Sequence, residues 1–189
     1  QSAAMAAEAY YRIKKKASIL SITSGPGGTN AVTGVIGAWI DSIPMIVISG
    51  QVETKDLIRK SKTRQIGIQE ANIIDVAKPI VKYSKTLTKS SDIELELNKA
   101  IDIAYSGRPG PVWLDLPLDV QSQKFNPSKK SIKYLSDKNK KNIEKNIKIE
   151  KIYKLIEKSK RPIFLIGNGV HISKSETLFL NVIKKLNLP

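Results

Sequence analysis

Apolar positions along the first 120 residues fall into two alternating periods. Short apolar runs at 19–22, 45–49, 80–83 and 112–116 are bounded by Gly, Pro or polar clusters. Their length suits buried strands rather than helices. Between them the spacing turns helical. Residues 2–13 are Ala-rich and end at Lys14-Lys-Lys16, a good helix former with a basic stop. Residues 30–40 carry two stripes. Val32, Val35, Ile36 and Trp39 form the expected core face, and Asn30, Gly34, Gly37, Ala38 and Asp41 form a small-residue face. Each interior glycine costs a helix about 1 kcal/mol relative to Ala, so two on one face predict a close neighbour, either a helix or a subunit. Ile93, Leu97, Ala100, Ile101 and Ala104 mark a third helix over 92–105. Ser91-Asp-Ile-Glu94 predicts a capping box at its start, and Gly107 and Pro109 end it. Helix and strand units in this alternation predict an α/β fold, a parallel sheet with helices on both faces.

The pattern breaks twice. Residues 50–74 read as a long polar loop with some helical character, and loops of that length are often functional. Residues 122–148 are rich in Lys, Asn and Ser and read as a basic linker. Helical spacing resumes at Ile149, Ile152, Tyr153 and Ile156. A strand is expected at 163–166, then Gly167-Asn-Gly169, then a second capping box, Ser173-Lys-Ser-Glu176. Leu178, Phe179, Val182 and Leu186 are the expected buried side of the last helix. The organisation predicted is a domain over 1–121, a linker over 122–148 and the beginning of a second α/β domain over 149–189.

Composition narrows the function classes. Without Cys there is no disulfide or thiolate chemistry, and this suits a cytoplasmic protein. His171 is the only histidine, so a multi-histidine metal site is excluded; a structural or exposed role is expected for it. No apolar run approaches a membrane span, and no signal peptide is visible; the start at Gln1 without Met reads as truncation. The net charge of +15 is unevenly placed. Residues 1–121 hold 15 Lys/Arg against 12 Asp/Glu, and residues 122–189 hold 17 against 5. A basic, non-catalytic binding module, for instance for nucleic acid, is one reading of that excess. A solvated lysine-rich face is the favoured one, because few aromatics are interleaved for base stacking. Neither a nucleic-acid nor a membrane partner is expected.

The candidate chemistry centres on Thr23-Ser-Gly-Pro-Gly-Gly-Thr-Asn30, placed between the first strand and the 30–40 helix. Gly25, Gly27 and Gly28 allow backbone angles and close approaches that other residues resist, and Pro26 stiffens the turn. Alone, such a loop is as readily a plain turn as a ligand site. The run continues through Asn30-Ala-Val-Thr-Gly34 to Asp41-Ser-Ile-Pro-Met-Ile-Val-Ile-Ser-Gly-Gln-Val52. A second block follows, Ser106-Gly-Arg-Pro-Gly-Pro-Val-Trp-Leu-Asp-Leu-Pro-Leu-Asp-Val-Gln121. Together the two blocks resemble the acetolactate synthase family of thiamine-diphosphate enzymes. The likeness covers most of 1–121 and, more weakly, 160–189.

The resemblance implies a pyrimidine-binding domain and the start of a central domain. The parent would decarboxylate a 2-keto acid such as pyruvate and join the two-carbon unit to a second carbonyl, in branched-chain amino-acid biosynthesis. The coenzyme would carry the chemistry, with the protein binding and orienting it. By the same resemblance, Pro26 and Asn30 lie near the pyrimidine ring and Gly25, Gly27 and Gly28 shape its wall. Asn30 also reads as a helix N-cap. Gln69 matches the family's active-site Gln and is the candidate catalytic residue, a surface-loop role being the alternative. Arg108 matches an Arg that contacts FAD in flavin-containing members, or else satisfies carbonyls at a helix end. Gly167-Asn168-Gly169 sits where the family has a dinucleotide loop, but Ile172 replaces the third glycine. Asp41, Asp115 and Asp119 are scattered and pair into no metal site. Mg2+ and the diphosphate would be held by another domain, usually from the partner in a homodimer or homotetramer. The family's catalytic Glu would stand just before Gln1, so this polypeptide alone is expected not to decarboxylate pyruvate. After Gly50-Gln-Val52 the family has Pro where this chain has Glu53, and the segment to Gln69-Glu70 is longer. These departures keep open a related carboligase or lyase with another acceptor, such as a keto-sugar.

Overall fold

A computed structural model describes residues 1–58, 62–125 and 149–187. The chain divides into two compact units, Gln1–Ser136 and Asp137–Pro189. Most of the expected linker, from 126 to 148, lies outside the described residues.

In the first unit the apolar runs become strands β1 (Ser18–Ile22), β2 (Met45–Gln51), β3 (Tyr83–Thr86) and β4 (Val112–Pro117). All pair in parallel, in the order β1-β2-β4-β3. Side chains alternate faces along a strand, so each strand feeds two cores. Met45 and Val47 of β2 join one core with Ala4, Ala31, Val35 and Trp113; Ile46 joins the other with Ala100, Ala104 and Leu114. The first core is covered by α1 (Ser2–Lys14), α2 (Pro26–Ile40) and the short α3 (Ile73–Ala77). The second is covered by α4 (Ile93–Tyr105). This is the expected parallel sheet with helices on both sides. A short α5 (Leu118–Gln121) follows β4.

Several local expectations are corrected. Helix α2 starts at Pro26, not at residue 30, so the glycine-rich loop becomes its first turn. Gly25 is the N-cap and Asn30 lies inside the helix, exposed, so Asn30 is not the N-cap. The expected core face of α2 is only partly buried, while the predicted close neighbour on its small-residue face is present. Gly28, Ala31, Gly34, Val35 and Ala38 are buried, while Ile36 and Trp39 are each 39% exposed. The close neighbour is α1: a Cβ at Gly34 would lie 2.6 Å from the Ala4 Cβ. Small residues face inward because the two helices approach too closely for large ones. The third strand begins at Tyr83; Lys78–Ile80 is instead a 3-10 turn started by Pro79. The Ser91–Glu94 capping box does not form. A 3-10 turn, Ser90–Asp92, takes up that segment, and the Ser91 hydroxyl bonds Asp92. The 50–74 segment is partly ordered: β2 reaches Gln51, Thr54–Asp56 is a 3-10 turn, and α3 opens at Ile73.

The second unit contains α6 (Ile149–Lys158), α7 (Gly169–Ile172) and α8 (Glu176–Leu186). The 163–166 segment has no ladder partner among the described residues and forms no strand; Leu165 is fully exposed. The second capping box also fails: Ser175 is the N-cap but its Oγ donates to Ser173 O rather than capping the helix, and Ser173 Oγ donates to Val170 O. The expected buried side of α8 is not buried: Leu178 and Val182 are exposed. Phe179 is half-buried and meets Phe164 edge-on at 5.7 Å.

Candidate functional site

Open parallel sheets bind ligands outside the carboxyl ends of their strands. Here the ends of β1, β2 and β4 border an open cavity of about 690 Å3. Its walls are residues 21–24, 48–52, Leu116, Leu118 and Gln121, so hydroxyl and amide groups dominate the polar lining and no charged side chain takes part. The chain runs directly from this wall into Gly25 and the first turn of α2.

Gly25 adopts φ 55°, ψ −121°, a conformation that excludes side chains. A Cβ there would lie 2.1 Å from the carbonyl oxygen of Gln69. At Gly27 it would lie 2.5 Å from Thr23 Cγ2, and at Gly28 2.8 Å from Ile73 Cγ1. The space freed by the three glycines is therefore filled by the protein itself. Gly25 and Gly28 let the 67–73 segment lie on the loop, and Gly27 lets the loop fold back on its own Thr23. Pro26, Asn30 and Gln69 are exposed around this contact. Gln69 has φ 56°, a left-handed conformation uncommon for a side-chain-bearing residue. Sequence spacing could not bring Gln69 to Gly25; the fold does.

Behind the cavity lies a buried polar network. Asp115, 1% exposed, accepts hydrogen bonds from Ser49 Oγ at 2.5 Å, Gln51 Nε2 at 3.2 Å and Thr86 Oγ1 at 3.3 Å. Trp113 Nε1 donates to Ser49 Oγ at 2.8 Å. Burial pushes the Asp115 carboxyl above its ordinary value, and the three hydrogen bonds only partly offset this. Gln51 reaches onward, donating to Ala71 O at 3.0 Å. This cluster did not emerge as a site from the sequence. The available signal was polar residues at Ser49, Gln51 and Asp115 inside otherwise apolar strands.

The 52–70 loop has its own fastenings. Asp119 accepts from the Thr54 hydroxyl at 2.6 Å and the Thr54 amide at 2.9 Å, and the Thr54 hydroxyl is the main cause of its depressed pKa. Glu53 pairs with Lys55 at 2.7 Å. Glu70 accepts from the amides of Ile58, Ile66 and Gly67 and so gathers the loop around its carboxylate.

Arg108 stands apart from the glycine loop. Its Nε donates to Ser42 Oγ at 2.6 Å and its Nη2 to Ile40 O at 3.1 Å, so it closes the C-terminal end of α2. Gly167 and Gly169 flank the start of α7 with open space on their Cβ sides. His171 is exposed and meets Glu176 through Nδ1 at 2.8 Å. Among the described residues no three His, Cys, Asp or Glu side chains form a group that could hold a metal ion. Nor is any described helix long and apolar enough to cross a membrane.

The neutral cavity beside the first turn of α2, mostly apolar with hydroxyl and amide groups among its lining, fits the flat aminopyrimidine end of thiamine diphosphate, whose edge carries both donors and acceptors. It offers nothing for a diphosphate and its metal. Residues 1–73 match the family model of the thiamine pyrophosphate enzyme, N-terminal TPP binding domain. Over its whole length the chain is 40% identical to a probable acetolactate synthase large subunit of Methanococcus aeolicus, covering 31% of that protein. It is 35% identical to the acetolactate synthase large subunit of Haemophilus influenzae and 32% identical to the isozyme 3 large subunit of Escherichia coli, covering 32% of each. The chain thus spans about a third of the length of these relatives. By fold and by these likenesses, residues 1–73 are similar to the N-terminal TPP-binding domain of the thiamine pyrophosphate enzymes, and the chain is similar throughout to acetolactate synthase large subunits.

Proposed function

We propose that the chain is the pyrimidine-binding part of an enzyme that decarboxylates a 2-keto acid, pyruvate above all, and joins the two-carbon unit to a second carbonyl. Thiamine diphosphate, when bound, supplies the carbon nucleophile of that chemistry. The observation that carries the reading is the seating of Gln69 on Gly25, beside the cavity at the carboxyl ends of the strands. In this reading Gly25, Gly27 and Gly28 hold the wall, and Pro26 and Asn30 face the pyrimidine ring. Gln69 presents its amide to the reacting carbonyl compound as a hydrogen-bonding catalytic residue. Mg2+ and the diphosphate are taken by donors outside this chain, supplied by a partner subunit in a homodimer or homotetramer. The domains proposed are 1–121 for the pyrimidine and 149–189 for the start of a central domain, joined by 122–148.

A second acceptor class, such as a keto-sugar, is favoured by the 52–70 loop. Its Glu53–Lys55 pair and its Thr54 anchor set a polar surface near the cavity. FAD binding at Arg108 is proposed as an additional property, because Arg108 is exposed while it holds the end of α2. The test of the main reading is carbon dioxide release from pyruvate by the full-length protein carrying this segment, with thiamine diphosphate and Mg2+ supplied. Turnover above the coenzyme-only background is expected, falling about tenfold or more in Gln69→Ala. Turnover that needs no thiamine diphosphate, or none at all with the coenzyme bound, would overturn it.

A further inference from the structure

Gln51 lines the cavity, yet its side chain has no donor hydrogen left to offer a ligand. It is 6% exposed. One amide hydrogen goes to Asp115 Oδ2 at 3.2 Å and the other to Ala71 O at 3.0 Å, while Oε1 accepts from the Val52 amide at 3.0 Å. A carboxamide has only two donor hydrogens, so both are spent inside the protein. The orientation follows from the partners: a carboxylate and a carbonyl both demand the nitrogen. Asp115 is itself fixed by Ser49 and Thr86 on the neighbouring strands. The line Asp115–Gln51–Ala71 therefore runs from the centre of the sheet to the residue that follows Gln69-Glu70. Gln69 needs such support, because it holds a left-handed backbone conformation with its carbonyl packed on Gly25.

We infer that Gln51, gripped by Asp115, is a positioning residue that sets Gln69 against the glycine wall through its bond to Ala71. The inference rests on the proposed role of Gln69, but the tether itself is testable without it.

The first measurement is amide hydrogen exchange on the chain without coenzyme, comparing wild type, Gln51→Met and Thr86→Val. Met keeps the length and removes both donors. The Gly67, Glu70 and Ile73 amides are hydrogen-bonded in this structure and serve as reporters. In Gln51→Met they are expected to exchange about tenfold faster, while β2 and β4 keep wild-type protection. Thr86→Val loosens one partner of Asp115 without touching the tether and should leave the reporters as in wild type. Unchanged reporters, or equal loosening of reporters and strands, would overturn the tether. If Gln51→Met does not fold, Gln51→Leu removes both donors in a smaller neutral side chain and is judged by the same outcomes.

The second measurement uses the full-length protein loaded with thiamine diphosphate. Gln51→Met is expected to lower kcat about tenfold while coenzyme affinity stays within about twofold, because Gln69 is displaced and the glycine wall is not. General loosening would weaken coenzyme binding as well, and an unchanged kcat would refute the positioning role. A wild-type protein that binds no coenzyme would instead refute the proposed function, with the tether still decided by exchange.

Discussion

Gly34→Ala adds one methyl at the tightest contact between α1 and α2. The new Cβ would lie 2.6 Å from Ala4 Cβ, 2.8 Å from Ala4 C and 2.9 Å from Met5 N. Two of these neighbours are main chain and cannot rotate away, so α1 must retreat by roughly 1 Å to restore ordinary contact. Overpacking of this kind costs about 1–3 kcal/mol. Replacing a helix-interior glycine by Ala returns about 1 kcal/mol. The balance is a loss of up to about 2 kcal/mol. Gly37 lies on the same helix, three residues on. A Cβ there would meet only Glu8 Oε2, at 3.0 Å, the far end of a flexible side chain. Gly37→Ala should therefore keep most of the helix-propensity gain and stabilise by up to about 1 kcal/mol. The pair gives opposite signs on one helix for one chemical change. Both tryptophans, Trp39 and Trp113, lie in the first unit, so tryptophan fluorescence during urea unfolding reports that unit alone. A Gly34→Ala midpoint at or above wild type would refute the close-packing account, as would a Gly37→Ala loss as large as that of Gly34→Ala.

Two further predictions concern charge. Burial alone would raise the Glu96 carboxyl, but hydrogen bonds from Lys85 and Tyr83, with the charges of Lys85 and Lys99, hold it below its ordinary value. A carboxyl depressed on folding stabilises above its unfolded pKa, near 4.5, and that contribution is lost as pH falls through the folded value. Glu96→Gln should thus be less stable than wild type at pH 7, with the gap closing in urea titrations below about pH 4.5; a gap that widens in acid would contradict the sign. Arg108→Ala should cost about 1–2 kcal/mol by freeing Ile40 O and Ser42 at the end of α2, with α4 still folded by circular dichroism. In the full-length protein, weaker flavin binding by that variant would support a cofactor contact, and an unchanged titration would leave the helix-end role alone.

The centre of the sheet was legible because β2 and β4 are buried on both faces and read as continuous apolar runs, whereas β3, Tyr83–Thr86, is polar and half-buried and begins three residues later than its apolar signal. What misled was size. Val32, Ile36 and Trp39 carry the hydrophobic weight of α2, yet the inner face went to Gly34 and Ala38, because close helix approach selects for volume rather than hydrophobicity. The start of α2 was placed late since glycines read as loop; Pro26 at the first helical position was the overlooked signal. Both Ser-x-x-Glu patterns are local, and at Ser91 a 3-10 turn outcompeted the cap. At the site, the glycines and Gln69 could be named one by one, but not their contact, since it depends on how the 52–70 segment folds back. Asp115 was visible only as an isolated carboxylate, because its partners come from two other strands.

The 52–70 loop leaves the sheet and returns to it through two staples, Thr54 on Asp119 and Ala71 on Gln51. Doubling the length of a loop between fixed ends costs only about 0.6 kcal/mol in closure entropy. The staples thus make the part of this stretch that precedes Gln69 an exchangeable cassette: residues can be inserted or swapped there without moving the Gln69 contact on Gly25 or the sheet beneath it. Divergence among such proteins has an inexpensive route at this point, since the approach to the cavity can be redrawn while the wall stays fixed. A protein engineer could use the same two junctions as graft points.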